Sequence, residues 1–174
     1  MLAESLLLDT SFVVEALVAS QPKHEEAVAF LVRLAEEHVR VRFSAMLELE
    51  LAEVAFQLAL KERHPRDWKR YRHDGRARRR AARLMSAVRL AWEEVLRDLD
   101  SERIDVVETL ADVPRLMSAH GLASYDAVHA ATAFRDPPVG IVTTDVGFAS
   151  LPPSTAIFTD ASRLARCRQI RARR

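Results

Sequence analysis

Two short aliphatic or β-branched runs, far apart in the sequence, each end next to an aspartate. Residues 6–8 precede Asp9, and residues 140–144 precede Asp145. Short runs of this kind are typical of strands buried in a parallel sheet. Because the carboxyl ends of neighbouring parallel strands open into one crevice, we expect both carboxylates to lie there. The pattern therefore predicts an α/β fold with an acidic site at one edge of its sheet.

Strand-like runs alternate with helical patterns along the whole chain, which is typical of βα units over a mostly parallel sheet. The predicted strands cover residues 6–8, 39–43, 103–107, 139–143 and 155–158. No internal repeat or low-complexity linker interrupts the alternation. At this length we expect one domain over residues 1–174.

Polar residues mark the expected helix starts. Thr10 or Ser11 is expected to cap the first helix, Ser44 a long helix that reaches Lys61 or beyond, and Ser124 a later one. A final helix is expected after the last predicted strand.

The composition, with 49% hydrophobic and 29% charged residues, is typical of a globular protein. No apolar run is long enough to cross a bilayer, and the first residues lack the positive start of a signal peptide. A single cysteine, Cys167, cannot form an internal disulfide, which fits a reducing compartment. We therefore expect a cytoplasmic protein with no membrane contact.

The net charge of +1 conceals an uneven distribution. Between Lys61 and Arg89, twelve Lys and Arg residues face three acids. One interpretation is a surface that neutralises RNA phosphates, and the other is a solvated helix face. We favour the nucleic-acid interpretation, since an acidic site repels a polyanion and needs positive charge nearby. The candidate contacts are Arg76, Arg78, Arg79, Arg80 and Arg83.

Two further acids are candidates for the site. Asp126 falls in the first turn after Ser124, where a helix dipole favours an anion, and Glu50 lies on the helix after Ser44. Helical spacing favours Glu50 over Glu48 and Glu53 only modestly. Carboxylates packed together require a cation, and their oxygens suit Mg²⁺ or Mn²⁺, ions that serve phosphate chemistry.

The helix after Ser44 is apolar on two sides, and such a helix usually contacts a partner as well as its own core. We therefore expect a homodimer. One side carries Leu47, Leu51, Val54 and Leu58, and the other carries Leu49, Phe56 and Leu60.

Four segments resemble, in order, the four motifs of the PIN-domain nucleases, with the VapC-type toxins as the closest likeness. They are LLLDTSFVVEAL at 6–17, SAMLELEL at 44–51, ASYDAVHAATA at 123–133 and IVTTDVGFASLP at 141–152. The resemblance implies an α/β/α sandwich with a central, mostly parallel sheet, here carrying a long, basic, helical insertion at about 61–100. It also implies a Mg²⁺- or Mn²⁺-dependent endoribonuclease that leaves 5′-phosphate and 3′-hydroxyl ends.

The resemblance further implies a role for each acid. Asp9 and Asp145 would be direct metal ligands, Asp126 a ligand of a second or shared ion, and Glu50 a ligand or a positioner of the attacking water. Many family members carry another Asp two residues after the last of these acids. Gly147 stands there in this chain, so a second ion would be held less firmly.

Three functions remain open at this point. The first is the toxin of a toxin–antitoxin pair, whose antitoxin fills the acidic groove. The second is a PIN-type RNA-processing nuclease without an antitoxin, and the third is a catalytically silent RNA-binding module. Keeping all four acids argues against the third, because a binding module has no use for mutually repelling carboxylates. His129 is interpreted as a packing residue beside the site rather than as a general base.

Overall fold

A five-stranded parallel sheet forms the centre of the computed structural model, which describes residues 4–135, 140–152 and 155–158. The sheet order is β3-β2-β1-β4-β5, and every neighbouring pair is parallel. The predicted α/β fold with a parallel sheet is therefore confirmed. The strands are β1 (Ser5–Leu8), β2 (Arg40–Ser44), β3 (Ser101–Ile104), β4 (Gly140–Thr143) and β5 (Ala156–Phe158).

Helices connect the strands and cover both faces of the sheet. Two short 3₁₀ helices, Val107–Asp112 and Val146–Ser150, follow β3 and β4. None of the helices within the described ranges is both long and apolar enough to cross a membrane. The α-helices are α1 (Thr10–Leu17), α2 (His24–Glu36), α3 (Ala45–Arg63), α4 (Trp68–Tyr71), α5 (Gly75–Asp98), α6 (Val113–His120) and α7 (Ser124–Arg135).

The central strand β1 is buried on both faces, which gives the molecule three layers. Leu6 and Leu8 belong to a core that contains residues of α1, α2, α3 and α5. Leu7, which points to the opposite face because side chains alternate along a strand, packs instead with residues of α6 and α7. This arrangement is the α/β/α sandwich that the resemblance implied.

The order in which the strands are added to the sheet reverses between β1 and β4. From β1, the strands β2 and β3 extend to one side, whereas β4 and β5 lie on the other. The backbone N–H of Asp9 donates to the carbonyl of Val142 at 3.0 Å, so the end of β1 is bonded directly to β4. In an open α/β sheet such a reversal point leaves a crevice at the carboxyl edge, where ligands bind.

Helices α3 and α5 pack along each other and, with α4 between them, form what we call the basic hairpin, residues 45–98. The ring of Trp92 meets that of Phe43 of β2 at 5.4 Å, whereas Leu60 near the far end of α3 packs on Ala77 and Ala81. At about 1.5 Å per residue, the start of α5 lies roughly 25 Å beyond the level of Trp92. The hairpin therefore projects past the carboxyl edge of the sheet.

The second apolar side of α3 is covered in part by the same chain. Leu60 is buried, and Phe56 packs against the same small core. Leu49, by contrast, is 63% exposed. The pattern from which we expected a homodimer thus has an internal explanation for most of its length, and the dimer itself stays a prediction.

Several element boundaries differ from the sequence predictions. Asp9, rather than Thr10 or Ser11, caps α1 by accepting from the Ser11 N–H, because an aspartate at that position reaches the free amide directly. Ser124 is the first residue of α7 and not the residue before it. β3 ends at Ile104, because the chain turns into a 3₁₀ helix. Cys167 and the expected C-terminal helix lie outside the described residues.

Candidate metal centre

Asp9 is the most buried of the four predicted acids, with 3% of its surface exposed. Its Oδ2 accepts from the Ser11 N–H at 3.2 Å, from Ser11 Oγ at 2.5 Å and from Thr143 Oγ1 at 2.8 Å. These donors fix the carboxylate between β1 and β4. Since they all bond to one oxygen, Oδ1 is left toward His129, whose Nε2 lies 3.7 Å away. Asp9 is thus a preorganised ligand with one oxygen available.

Glu50 lies beside Asp9 on the second turn of α3. Its Oε2 accepts from Thr10 Oγ1 at 2.7 Å, which links α3 to the start of α1. Burial raises the pKa of Glu50, but the neighbouring His129 and the Thr10 hydroxyl outweigh burial, so the pKa lies below its usual value. Glu50 is therefore held as an anion facing the crevice.

The two neighbouring glutamates of α3 are engaged elsewhere. Glu48 accepts from Arg103 Nε at 3.0 Å, and Glu53 pairs with Arg72 Nη2 at 3.5 Å. Helical spacing left the choice among the three glutamates weak. The structure separates them, because only Glu50 lies among the other predicted acids.

Asp126 and Asp145 meet around Gly147. Asp145 follows β4, is exposed, and accepts from the Gly147 N–H through Oδ1 at 2.7 Å. A Cβ atom added to Gly147 would lie 3.2 Å from Asp145 Oδ1 and 3.7 Å from Asp126 Oδ2. The two carboxylates therefore flank the same small space, which the glycine leaves open.

The electrostatics of Asp126 link all four acids. Burial first, and then the charges of Asp9, Asp145 and Glu50 in that order, raise the pKa of Asp126 to about 6. Burial is the largest cause, and the charges of the three carboxylates add to it because they act at short range. The structure thus brings together all four acids predicted from the sequence, at the reversal point of the sheet.

His129 is part of this cluster, which its interpretation as a packing residue only partly anticipated. It is buried beside the site as expected, with 1% exposed. Its Nε2 has no hydrogen-bond partner among the described residues, and lies 3.9 Å from Glu50 Oε2. One ligand atom from each of Asp9, Glu50 and His129 lies within 4.8 Å of the others, a spacing that could hold a metal ion.

The pKa of His129 reflects the same surroundings. Burial lowers it, but the adjacent Glu50, Asp9 and Asp126 raise it more, so that it lies above its usual value. The signal that could have found this residue is its position three residues after Asp126 in α7, on the same helix face.

No lysine or arginine of the described residues forms an ion pair with Asp9, Glu50, Asp126 or Asp145. Four carboxylates around one crevice, with a single imidazole among them, leave an excess of negative charge. The donor set is mainly carboxylate oxygen, which suits Mg²⁺ or Mn²⁺. The residues therefore fit a hard divalent ion.

The predicted arginine contacts do not lie at the acidic cluster. All five are exposed and belong to the first three turns of α5, at the outer part of the basic hairpin. The structure thus separates an acidic centre from a basic surface. The five are Arg76, Arg78, Arg79, Arg80 and Arg83.

A protein-family model covers most of the chain. The family model described as PIN domain matches residues 6–152, a range that contains the four acids and His129. No curated protein matches the chain.

Proposed function

The chain belongs to the PIN domain family, whose members are typically metal-dependent nucleases that act on RNA, and from this premise we propose that it is a Mg²⁺- or Mn²⁺-dependent endoribonuclease. The metal would be held by Asp9, Glu50, Asp126 and Asp145. One observation carries the proposal: these four acids lie together at the carboxyl edge of the sheet with no lysine or arginine of the described residues paired to them.

Each residue has a task that follows from its position. Asp9 is fixed by Ser11 and Thr143 and offers its free Oδ1 as a rigid ligand. Asp145 lies at the exposed rim, where a substrate phosphate can approach. A bound divalent ion supplies an activated water and neutralises charge on the phosphate.

Glu50 and Asp126 complete the site at intermediate depth. Glu50, held by Thr10 as an anion, is placed to ligate the ion or to orient the attacking water. Asp126 is placed to ligate the shared or second ion beside Asp145. His129 is the buried member of the site, with its Nε2 3.7 Å from Asp9 Oδ1 and 3.9 Å from Glu50 Oε2.

We expect the purified protein to cleave single-stranded RNA in Mg²⁺ or Mn²⁺ and to stop when EDTA removes the ion, because the ion would supply the activated water and no lysine or arginine of the described residues balances the clustered acids. Gel analysis of an end-labelled RNA measures the cleavage, and excess Mg²⁺ should restore it. Mapping the ends tests for 5′-phosphate and 3′-hydroxyl products. Cleavage that continues undiminished in EDTA would contradict the metal mechanism.

The finer proposal is that the enzyme is the toxin of a toxin–antitoxin pair. The sequence motifs that most resemble VapC-type toxins support it, and so does a crevice whose outermost acid, Asp145, is exposed to a partner. An antitoxin could block the site by placing a cationic side chain among the carboxylates. A homodimer and a cytoplasmic location belong to the same proposal. The alternative is an RNA-processing nuclease of the same fold that needs no antitoxin.

Induced expression of the wild-type gene in a bacterium should arrest growth if the toxin proposal holds, since uncontrolled RNA cleavage stops protein synthesis. Growth curves of induced cultures measure the effect, with Asp145→Asn as the matched inactive control. Co-expression of a small neighbouring gene should restore growth. Normal growth, together with RNA cleavage by the purified protein, would favour the RNA-processing alternative.

A further inference from the structure

The arginines of the described residues fall into two classes, those in an ion pair and those in none, and Arg72 is the one paired arginine within the stretch that contains the second class. Nine arginines of the described part form an ion pair, such as Arg33 with Glu37, Arg103 with Glu48 and Arg115 with Asp112. Among the same described residues eight form none, and all eight lie between positions 63 and 83. Three precede α5, namely Arg63, Arg66 and Arg70, and the other five are the α5 arginines named above.

The α5 arginines also stand where helix energetics disfavour cations. The first turn of α5 contains no acid, and the positive end of the helix dipole lies there. Arg76 and Arg80 are four residues apart, as are Arg79 and Arg83, and like charges at this spacing cost about 0.2–0.5 kcal/mol per pair. The cap Asp74, which accepts from the Ala77 N–H at 2.7 Å, offsets little of this charge. Folding alone therefore gives no reason for the cluster.

The segments that carry the unpaired arginines pack on a small apolar core. Trp68 and Tyr71 pack against the small core of Leu60, Ala77 and Ala81, and the Tyr71 ring stacks on His64 at 3.7 Å. The aromatic rings thus anchor α4 to the hairpin. The arginines project from a surface whose shape is fixed by apolar contacts beneath it.

The surface lies on the same side of the sheet as the acidic centre. Glu50 is near the start of α3, and Leu60, which packs against the helix that carries the arginines, is ten residues farther along. At about 1.5 Å per residue, the two are separated by roughly 15 Å along α3. A single RNA strand spans this distance with a few nucleotides.

We propose that the outer part of the basic hairpin, residues 61–83, is an RNA docking surface that holds substrate phosphates about 15 Å from the acidic centre. The proposal rests on the ribonuclease function proposed above and specifies how its substrate is held. An acidic crevice repels a polyanion, so a nearby cationic surface must supply the attraction. Arginines that form no ion pair within the protein can bind phosphate without first breaking one. The planar guanidinium group also donates to two phosphate oxygens at once.

The test compares two triple variants with equal change of charge. Arg78→Ala/Arg79→Ala/Arg80→Ala removes three unpaired arginines of the surface, and Arg33→Ala/Arg97→Ala/Arg115→Ala removes three paired ones elsewhere. Both are made in an Asp145→Asn background, so that a single-stranded RNA oligonucleotide is bound but not cut. Fluorescence anisotropy over a range of salt concentrations gives the dissociation constant.

For the surface variant, the plot of the logarithm of the association constant against the logarithm of the salt concentration should be less steep by about 2. Each phosphate contact to a single strand contributes about 0.7 to this slope, and three arginines are removed. At about 0.1 M salt this corresponds to a loss of affinity on the order of 100-fold. The paired-arginine variant should bind like its parent. Circular dichroism should show the surface variant folded, because its helix loses unfavourable charge.

Three results distinguish the possible failures. If the wild-type protein cleaves RNA but the surface variant has the same salt dependence of binding as its Asp145→Asn parent, the docking proposal is wrong and the proposed nuclease function is unaffected. If the surface variant instead loses binding of poly-glutamate with RNA binding unchanged, the surface serves an acidic protein. A wild-type chain that neither binds nor cleaves RNA overturns the proposed function itself.

Discussion

Asp145→Asn is expected to lower RNA cleavage by at least about 100-fold while leaving the unfolding temperature almost unchanged. Loss of a residue that merely supports a metal ligand typically costs about 10- to 100-fold, and loss of a ligand costs more. Asp145 is exposed, and its Oδ1 accepts from the Gly147 N–H, a bond that the amide oxygen of asparagine can keep. The rate of cleavage under saturating Mg²⁺ and a thermal melt of the same preparation measure the two effects.

The chain offers a close control for this substitution. Asp105 follows β3 as Asp145 follows β4, is likewise exposed, and accepts from the N–H two residues ahead, that of Val107, at 2.9 Å. It has no place among the clustered acids. Asp105→Asn should therefore keep full activity. Equal activity of the two variants would show that the exposed rim acid is not a ligand.

The second large effect is a gain of stability that accompanies a loss of activity. In metal-free buffer at neutral pH, Asp126→Asn should stabilise the fold by about 2 kcal/mol, although it should abolish cleavage. Burial and the three neighbouring carboxylates raise the pKa of Asp126 to about 6, so its charged form is disfavoured in the folded protein. One pKa unit corresponds to about 1.4 kcal/mol, and solvent screening of this half-buried group lowers the effect to about 2 kcal/mol.

The pH dependence has a definite sign. The folded protein binds the Asp126 proton more tightly than the unfolded chain does. In the unfolded chain the pKa of Asp126 is near 3.8. The stability from this proton is fully present below 3.8 and is lost as the pH rises through about 6. The advantage of Asp126→Asn should therefore shrink as the pH falls from neutral toward 4.

Urea unfolding in EDTA at two pH values measures this advantage, with Asp105→Asn as the control for a lost surface charge. Added Mg²⁺ should stabilise the wild type more than Asp126→Asn, which has lost one of the four proposed ligands. A variant less stable than the wild type in EDTA at neutral pH would mean that the carboxylates do not repel one another as the structure indicates.

Much of the fold followed from the sequence because local signals and burial agree. Ser44 caps α3 by accepting from the Leu47 N–H, as its position before an apolar helical pattern predicted. The buried runs at 6–8 and 140–143 became neighbouring strands with side chains packed on both faces. These signals depend on residues close in sequence, and pattern analysis detects them well.

The site was only partly predictable, because its contacts join residues distant in sequence. Helical spacing favoured Glu50 only weakly, and the family resemblance selected it. The structure adds the physical reason, because Arg103 and Arg72 hold the two alternatives, Glu48 and Glu53.

The one local signal for His129 is its position three residues after Asp126 in α7, and a core residue can occupy the same position. The proximity of His129 to Asp9 exists only after α7 packs on the sheet.

The sequence of the basic hairpin could not show what covers the second apolar side of α3. An apolar side of α3 could be covered by a second chain or by a later helix of the same chain, and the sequence pattern is the same in both cases. Because α5 lies along α3, much of that side is buried internally. Deciding between the two required the path of the chain.

The bonding of β1 to β4 has a consequence for synthesis. Asp9 is held by Thr143, 134 residues later, so the site cannot assemble until β4 has left the ribosome. A growing polypeptide that has emerged only through α7 lacks both the strand that fixes Asp9 and the exposed acid that follows it. On the proposed ribonuclease function, a nascent chain therefore cannot cleave its own messenger RNA until β4 and Asp145 have been translated and have emerged.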